Sequence, residues 1–287
     1  MDQDQLKTII YTETNETIQS LNIINDGWDN QVIEINNELI FRFTRREETR
    51  KQHIKELELL PILNERLTLK VPNPIYARTN GKPPHYMAYK RIPGEPLTRK
   101  AAKSLNQDYL IETICNFLSE LQDTPISLFS QVPVYTGEEW RDKYRELFSQ
   151  VIEKITPMLE TSTVEAIAEV FDEPLNASDF FDYVPTLIHR DLTSEHILYS
   201  GDQITGVIDW GDACFGDPAF DLTGFIMDYD STLVENLIDA LKVPAHYLKR
   251  AQFYARISVF HGALYMKEIG DEKRLQDKLN QIKSAFT

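Results

Sequence analysis

The chain reads Ile188-His189-Arg190-Asp191-Leu192-Thr193-Ser194-Glu195-His196-Ile197-Leu198 and, shortly afterwards, Gly206-Val207-Ile208-Asp209-Trp210-Gly211-Asp212-Ala213. His196 lies five positions after Asp191, and Asp209 lies eighteen positions after it. Either run alone is weak, because short motifs of this kind occur by chance in loops. Their order and spacing together favour two acids with a shared chemical task over two acids that merely cap turns.

This spacing is typical of phosphoryl transfer. A kinase catalytic loop reads His-Arg-Asp, a metal-binding residue follows the Asp by five positions, and a second metal-binding Asp follows in Asp-Phe-Gly. One carboxylate orients the acceptor hydroxyl and accepts its proton, and another holds magnesium against the phosphates. We therefore predict that Asp191 is the catalytic base and that Asp209 and His196 bind magnesium.

The first part of the chain alternates strand-like runs with turn signals. Residues 31–35 and 38–43 read as strands joined by an Asn-Asn pair that suits a tight hairpin turn. Apolar residues at helical spacing predict a helix from His53 to about Asn64, with Glu56 off the apolar stripe. Residues 85–90 predict one further strand. The run Ile92-Pro93-Gly94 then closes this part of the chain.

The pattern after residue 93 is mainly helical. Asn106 is a candidate N-cap for a helix whose apolar stripe consists of Leu110, Ile114, Phe117, Leu118 and Leu121. Residues 138–159, 162–171 and 231–286 also predict helices, whereas residues 187–208 predict small strands and loops.

These two parts of the chain predict an α+β fold with two lobes. The small β-rich nucleotide-binding lobe covers residues 1–92, with a hinge at about residues 89–94. The larger helical lobe, which covers residues 93–287, carries the catalytic and acceptor-binding residues.

Charge and hydropathy argue against nucleic acid and membranes as partners. The net charge of −15 disfavours nucleic acid and anionic membranes, because both require a basic face. The apolar stretches are too short to span a bilayer, and the first residues lack the plan of a signal peptide. We expect a cytoplasmic monomer. Its acidity would suit a cationic small molecule, but for charge alone the favoured interpretation is that the acidity keeps the protein soluble.

The two catalytic runs, together with Gly216-Asp217-Pro218, resemble the aminoglycoside phosphotransferases, most closely the 2″-hydroxyl enzymes. Those enzymes place His where protein kinases place Asn, so His196 fits the resemblance. The resemblance spans nearly the whole chain. It implies a bilobal protein-kinase-like fold. It also implies transfer of a phosphoryl group from ATP or GTP, with Mg²⁺, to a hydroxyl of an aminoglycoside-type antibiotic, which would confer resistance.

The resemblance also implies roles for upstream residues. The loop Gly27-Trp28-Asp29-Asn30 would lie over the triphosphate, although Gly27 alone is equally well read as a turn glycine. Arg42 would contact the α- and β-phosphates and pair with Glu56. Backbone groups near Lys90 and Ile92 would hold the purine, and the sequence leaves the choice between ATP and GTP open.

Asp217 and Asp221 match family positions that brace the catalytic loop through buried hydrogen bonds. Turn and N-cap roles are equally open for each aspartate on its own.

The acceptor is open at this stage. Macrolide 2′-phosphotransferases share features near Trp28 and Arg42, choline or sugar kinases use the same scaffold, and a kinase-like binding protein without catalysis is a further alternative. A cationic aminosugar is favoured by carboxylates that follow the catalytic segment, of which about two or three are expected to line the acceptor site: Asp228, Asp230, Glu235, Glu268, Asp271 and Glu272. An aromatic run would suit a macrolide, but core packing at helical spacing is favoured for it: Phe253, Tyr254, Phe260 and Tyr265.

Overall fold

A computed structural model describes residues 3–26 and 30–286. Contacts group the chain into two compact units. The first unit comprises Met1–Leu97, Ser127–Val132 and Glu195–Ala213, and the second comprises Thr98–Ile126, Pro133–Ser194 and Cys214–Thr287. Because neither unit is one continuous stretch, the predicted lobe boundary at residue 93 stays a prediction.

The elements are numbered in chain order over the described residues. The helices are α1 (Gln3–Thr14), α2 (Glu47–Arg66), α3 (Arg99–Ser104), α4 (Gln107–Gln122), α5 (Gly137–Lys154), α6 (Thr161–Asn176), α7 (Thr223–Asp228), α8 (Ser231–Leu241), α9 (Ala245–Ile269) and α10 (Glu272–Ala285). The strands are β1 (Leu21–Asp26), β2 (Asn30–Ile35), β3 (Leu39–Thr44), β4 (Pro74–Arg78), β5 (Tyr86–Lys90), β6 (Glu95–Pro96), β7 (Thr186–Ile188), β8 (Ile197–Ser200), β9 (Gln203–Val207) and β10 (Cys214–Gly216).

The first unit contains an antiparallel sheet in the order β1-β2-β3-β5-β4. The predicted turn between β2 and β3 is confirmed. Asn36 and Asn37 adopt φ values of 58° and 57°, in the left-handed region that asparagine tolerates better than most residues. The turn spans three residues, because Ile35 pairs with Leu39 across the two strands.

Strand β3 presents different chemistry on its two faces. Phe41 and Phe43 are buried in an apolar cluster with Leu6 and Ile10 of α1. Arg42 lies between the two phenylalanines, and alternate residues of a strand point to opposite faces. Its side chain therefore lies on the opposite face, where it contacts α2.

Helix α2 begins earlier than the apolar stripe predicts. The stripe indicated a start at His53, whereas the helix begins at Glu47. Its first turns are charged and carry no apolar pattern, but Glu47 and Glu48 interact favourably with the positive end of the helix dipole. Burial also extends beyond the stripe, since Lys55 and Glu56 are both buried.

Strands β8 and β9 form a hairpin within the first unit, and β6 pairs with β8. The open end of this hairpin is closed by a hydrogen bond from the Ile208 N–H to the His196 carbonyl, at 2.9 Å. The residues that flank the hairpin are therefore neighbours in space, although they are far apart in sequence.

The predicted helix after Asn106 is confirmed in the second unit. The Asn106 side chain accepts a hydrogen bond from the Tyr109 N–H at 3.0 Å, as an N-cap should. All five residues of the predicted stripe are buried.

The core of the second unit is rich in aromatic side chains from α5, α6 and α9. Trp140, Phe171 and Phe260 are fully buried, and the ring of Tyr144 lies 5.3 Å from that of Phe253 and 5.4 Å from that of Tyr254. Three of the four aromatic residues predicted to pack in a core are thus buried there, namely Phe253, Tyr254 and Phe260. None of the helices within residues 3–26 and 30–286 combines the length and hydropathy that a membrane span requires.

Candidate active site

Four of the predicted site residues converge in the first unit, and we call them the Arg42 cluster: Arg42, Glu56, His196 and Asp209. Arg42 donates from Nη1 to Oε1 of Glu56 at 2.6 Å and from Nη2 to Oδ1 of Asp209 at 3.1 Å. Nε2 of His196 lies 3.7 Å from Oδ2 of Asp209. One guanidinium therefore links a carboxylate of α2 to a carboxylate that follows β9, which holds the predicted metal ligand in a fixed place.

The β8–β9 hairpin explains why His196 and Asp209 meet. His196 directly precedes β8 and Asp209 follows β9. The hydrogen bond between Ile208 and His196, at the open end of the hairpin, therefore brings the two side chains together. Asp209 has φ 65° and ψ 65°, a left-handed conformation. Such strain in a residue other than glycine is frequent at functional sites. The buried ring of Trp210 anchors the turn by donating from Nε1 to the Val207 carbonyl at 3.0 Å.

The members of the Arg42 cluster differ in exposure. The side chain of Glu56 is 0% exposed and that of Arg42 is 7% exposed, whereas that of Asp209 is 49% exposed. Burial alone would lower the pKa of Arg42, but the carboxylates of Glu56 and Asp209 raise it above its usual value, so the guanidinium stays charged. Arg42 and Glu56 are thus the buried part of the cluster, and Asp209 is its accessible carboxylate.

His53 lies one helical turn before Glu56 and is fully buried. Burial, with a further contribution from the positive charge of Arg42, lowers its pKa to about 3, so the imidazole is neutral. Neither ring nitrogen has a hydrogen-bond partner among the described residues. No sequence signal singled out His53, because a histidine on a helix face is equally consistent with exposure.

Helix α2 also contacts the segment that follows Asp209. Nζ of Lys55 donates to the carbonyl of Gly211 at 2.7 Å and to that of Ala213 at 2.6 Å. Nε2 of Gln52 lies 3.4 Å from Oδ1 of Asp212. Sequence reasoning missed both residues, because neither lies on the apolar stripe of the helix.

The remaining predicted nucleotide residues are less informative. Gly27, Trp28 and Asp29 lie outside the described residues. Asn30 begins β2, and its buried Oδ1 has no partner among the residues that the structure describes.

The predicted hinge residues lie at the end of β5. Lys90 is the last residue of that strand and is exposed, while Ile92 is buried two residues later. Their roles in holding a nucleotide stay predictions.

The predicted catalytic loop, residues 189–194, belongs to the second unit and follows β7. Both carboxylate oxygens of Asp221 accept backbone hydrogen bonds from this loop, one from the His189 N–H at 2.9 Å and one from the Arg190 N–H at 2.8 Å. Arg190 adopts φ 68°, a second left-handed residue in the two motifs. Asp221 therefore fixes the backbone immediately before Asp191, as the resemblance implied.

Helix α7 holds the other end of the catalytic loop. Oδ2 of Asp228 accepts a hydrogen bond from the Ser194 N–H at 2.8 Å. Gly224 approaches the loop so closely that a β-carbon would lie 2.0 Å from the carbonyl oxygen of Leu192. Asp191, which is half-buried, thus lies in a loop that is held on both sides.

Asp217 has a different role from Asp221. Its buried carboxylate accepts hydrogen bonds from Nε of Arg250 at 2.5 Å, from the hydroxyl of Tyr254 at 2.6 Å and from the Ala219 N–H at 3.0 Å. These bonds tie α9 to the segment that carries Asp221. Of the two readings left open for Asp217, the N-cap is the contact observed, and its ion pair with Arg250 was not foreseen.

Comparison with known proteins agrees with this geometry. Residues 20–254 match the phosphotransferase enzyme family, APH. The chain belongs to this family. The predicted resemblance is thereby confirmed, and family membership makes the protein a phosphotransferase.

Individual relatives of this family member are distant. Viomycin phosphotransferase from Streptomyces vinaceus is 25% identical over 234 residues, which cover 75% of this chain and 76% of the relative. The GDP and kanamycin complex of APH(2″)-IIIa superimposes with a TM-score of 0.90 at 22% identity, over 98% of each chain. The macrolide 2′-phosphotransferase of Brachybacterium faecium superimposes with a TM-score of 0.76 at 19% identity, over 99% of this chain and 98% of that one. These likenesses confirm the predicted α+β, protein-kinase-like fold.

Proposed function

We propose that the protein transfers the γ-phosphoryl group of ATP or GTP to a hydroxyl of an aminoglycoside-type antibiotic. The observation that carries the proposal is the Arg42 cluster, in which a charged guanidinium and a half-exposed carboxylate are fixed side by side. This arrangement suits a nucleoside triphosphate, because the cation can contact phosphate oxygens and the carboxylate can hold their counter-ion. Relatives of similar fold were solved with GDP and with ATP, which supports a nucleotide donor.

The residues fit a magnesium ion bound together with a nucleotide. Within the described residues there is no group of three or more His, Cys, Asp or Glu side chains that could hold a metal. Mg²⁺ in such enzymes typically uses one or two carboxylates, and phosphates and water supply the other ligands. Asp209 offers the hard oxygen that Mg²⁺ prefers, with His196 as its neighbour. When bound, the ion would neutralise charge on the phosphates.

The chemical step needs one further group, and we assign it to Asp191. Its carboxylate would accept the proton of the acceptor hydroxyl while the acceptor oxygen forms a bond to the γ-phosphorus. The bond from that phosphorus to the bridging oxygen breaks, and the nucleoside diphosphate leaves. The hydrogen bonds that Asp221 and Asp228 accept from the backbone of the loop would hold Asp191 in place for this step.

The acceptor assignment rests on charge and on family. Three of the six carboxylates considered for the acceptor site have structural partners, since Asp228 binds the catalytic loop, Asp230 lies 3.1 Å from Lys103 and Asp271 caps α10. The other three are exposed: Glu235, Glu268 and Glu272. An aminoglycoside that pairs with such exposed groups would bind more weakly as salt rises, because the Debye length shortens from about 10 Å at 0.1 M to about 3 Å at 1 M.

The test is a nucleotide-consumption assay with ATP and with GTP over kanamycin, viomycin, erythromycin, choline and glucose, with mass spectrometry of each product. We expect kanamycin-type acceptors to be phosphorylated, with an affinity that falls with salt. The matched control is Asp191→Asn, which should lower turnover by about 10² to 10⁴-fold while nucleotide binding persists. Efficient transfer to erythromycin alone, independent of salt, would replace the acceptor, and no transfer to any compound would refute the proposed function.

A further inference from the structure

Lys55 is a buried cation on α2. Only 8% of the residue is exposed, although lysine is almost never buried unless it has a partner. Its ammonium group donates to the carbonyls of Gly211 and Ala213, at 2.7 and 2.6 Å. Both acceptors are backbone groups of the short segment that starts at Asp209. The cost of burying this charge is therefore offset by bonds to one segment of the chain.

The carbonyls that Lys55 binds belong to the end of a 3₁₀ helix, Trp210–Asp212. The last carbonyls of a helix have no partner within it, and a cation can satisfy them. The segment begins with Asp209, which is held in a left-handed conformation. A residue in that conformation keeps its orientation only when the surrounding structure fixes the backbone on both sides.

Three residues of α2 fix this segment at successive points. Glu56 acts on Asp209 through Arg42, Gln52 lies next to Asp212, and Lys55 binds the carbonyls on either side of Asp212. The contact of Gln52 is long, at 3.4 Å, and lies at the surface. Lys55 makes the short, buried contacts and is therefore the residue whose loss should matter most.

We propose that Lys55 is a positioning residue, which holds the segment 209–213 so that the Asp209 carboxylate is presented to a magnesium–nucleotide complex. The proposal rests on the proposed function, because it concerns the same site. Lys55 contacts neither phosphate nor metal in this scheme. It acts through the backbone that carries Asp209.

The experiment measures nucleotide affinity with a fluorescent ATP or GTP analogue, once in Mg²⁺ and once in EDTA. The ratio of the two dissociation constants is the magnesium enhancement. Lys55→Met should lower this enhancement by about 10-fold or more, the range found when a partner of a metal ligand is removed. Its affinity in EDTA should stay within about threefold of wild type. Lys51→Met, an exposed lysine on the same helix, is the matched control and should leave both constants unchanged.

A double-mutant cycle separates positioning from general structural support. If Lys55 acts through Asp209, adding Lys55→Met to Asp209→Asn should cause little further loss of enhancement. A loss of equal size in both backgrounds would overturn the proposal, and so would a wild-type enhancement in Lys55→Met. If Lys55→Met does not fold, Lys55→Gln is judged by the same criterion.

The outcome also distinguishes the two proposals. A wild-type protein whose nucleotide affinity does not depend on Mg²⁺ would refute the proposed metal site, and with it this role for Lys55. A wild-type protein with a clear enhancement that Lys55→Met retains would refute only the role of Lys55.

Discussion

Asp209 and Asp217 are eight positions apart in the sequence and have opposite environments. The side chain of Asp209 is 49% exposed and contacts Arg42 and His196 at its edges. The side chain of Asp217 is 0% exposed and accepts bonds from Arg250, Tyr254 and the backbone of Ala219. A carboxylate whose hydrogen-bonding capacity is used within the protein stabilises the fold. One that keeps an accessible oxygen is available to a ligand.

The largest expected effect is the difference in stability between Asp217→Asn and Asp209→Asn. Asp217→Asn removes the charge that pairs with buried Arg250, so we expect a loss of about 3–5 kcal/mol in the free energy of unfolding. Asp209→Asn should change stability by less than about 1 kcal/mol, because the carboxylate is half-exposed and Arg42 keeps Glu56. Urea unfolding of both variants measures the difference. Equal losses would show that exposure does not distinguish the two aspartates.

For magnesium binding, Asp209→Asn should have a larger effect than Asp217→Asn. Asp209→Asn should lower the magnesium affinity of the nucleotide complex by more than about 100-fold, the upper end for residues that only support a metal ligand. Asparagine is chosen because it tolerates the left-handed backbone that Asp209 adopts. Folded Asp217→Asn, assayed below its unfolding temperature, should bind magnesium and nucleotide nearly as wild type does. A wild-type magnesium titration for Asp209→Asn would remove it from the metal site.

Asp221, a third aspartate of this region, should make stability depend on pH. Burial raises its pKa to about 7, against the opposing effect of the two backbone N–H donors, and the charge of Asp191 adds to the rise. The folded state therefore keeps a proton that the unfolded chain releases near its ordinary value of 3.8, so this residue lowers stability as pH rises from about 4 to about 7. Asp221→Asn should lack this contribution and should also lose about 1–3 kcal/mol, because an amide accepts only one of the two N–H bonds.

Unfolding of wild type and of Asp221→Asn at pH 5 and pH 8 tests this prediction. The decrease in stability between the two values should be smaller in the variant. An identical decrease would mean that Asp221 is ionised throughout this range.

The smallest effect should come from His196→Asn. Asparagine can offer an oxygen to the metal, whereas a neutral imidazole offers nitrogen, which Mg²⁺ prefers less. We expect magnesium affinity within about tenfold of wild type. A magnesium titration of nucleotide binding checks this, and a loss larger than that of Asp209→Asn would make His196 the main ligand.

Local sequence signals predicted several elements of the fold and the spacing of the two motif aspartates. The N-cap at Asn106, the turn at Asn36 and the eighteen-residue spacing of Asp191 and Asp209 each depend on residues close in sequence or on a recognised motif. Periodicity also indicated the middle of α2. Its start at Glu47 was missed, because charged turns carry no apolar pattern.

Buried polar residues could not be predicted in the same way. Arg250 and Asp217 are 33 positions apart, and Lys55 is more than 150 positions from its acceptors. Hydrophobic periodicity predicts the apolar face of a helix. It does not predict which polar residue on another face will contact a distant segment of the chain. That information arises only when the segments pack.

Gly224 has a consequence for how this protein can evolve or be engineered. A β-carbon at position 224 would lie 2.0 Å from the Leu192 carbonyl oxygen, so any other residue must first displace the loop that carries Asp191. A selection for new acceptors that randomises this region should recover glycine at position 224 from every active clone. Diversity in acceptor choice would then have to come from positions whose side chains leave the catalytic backbone in place.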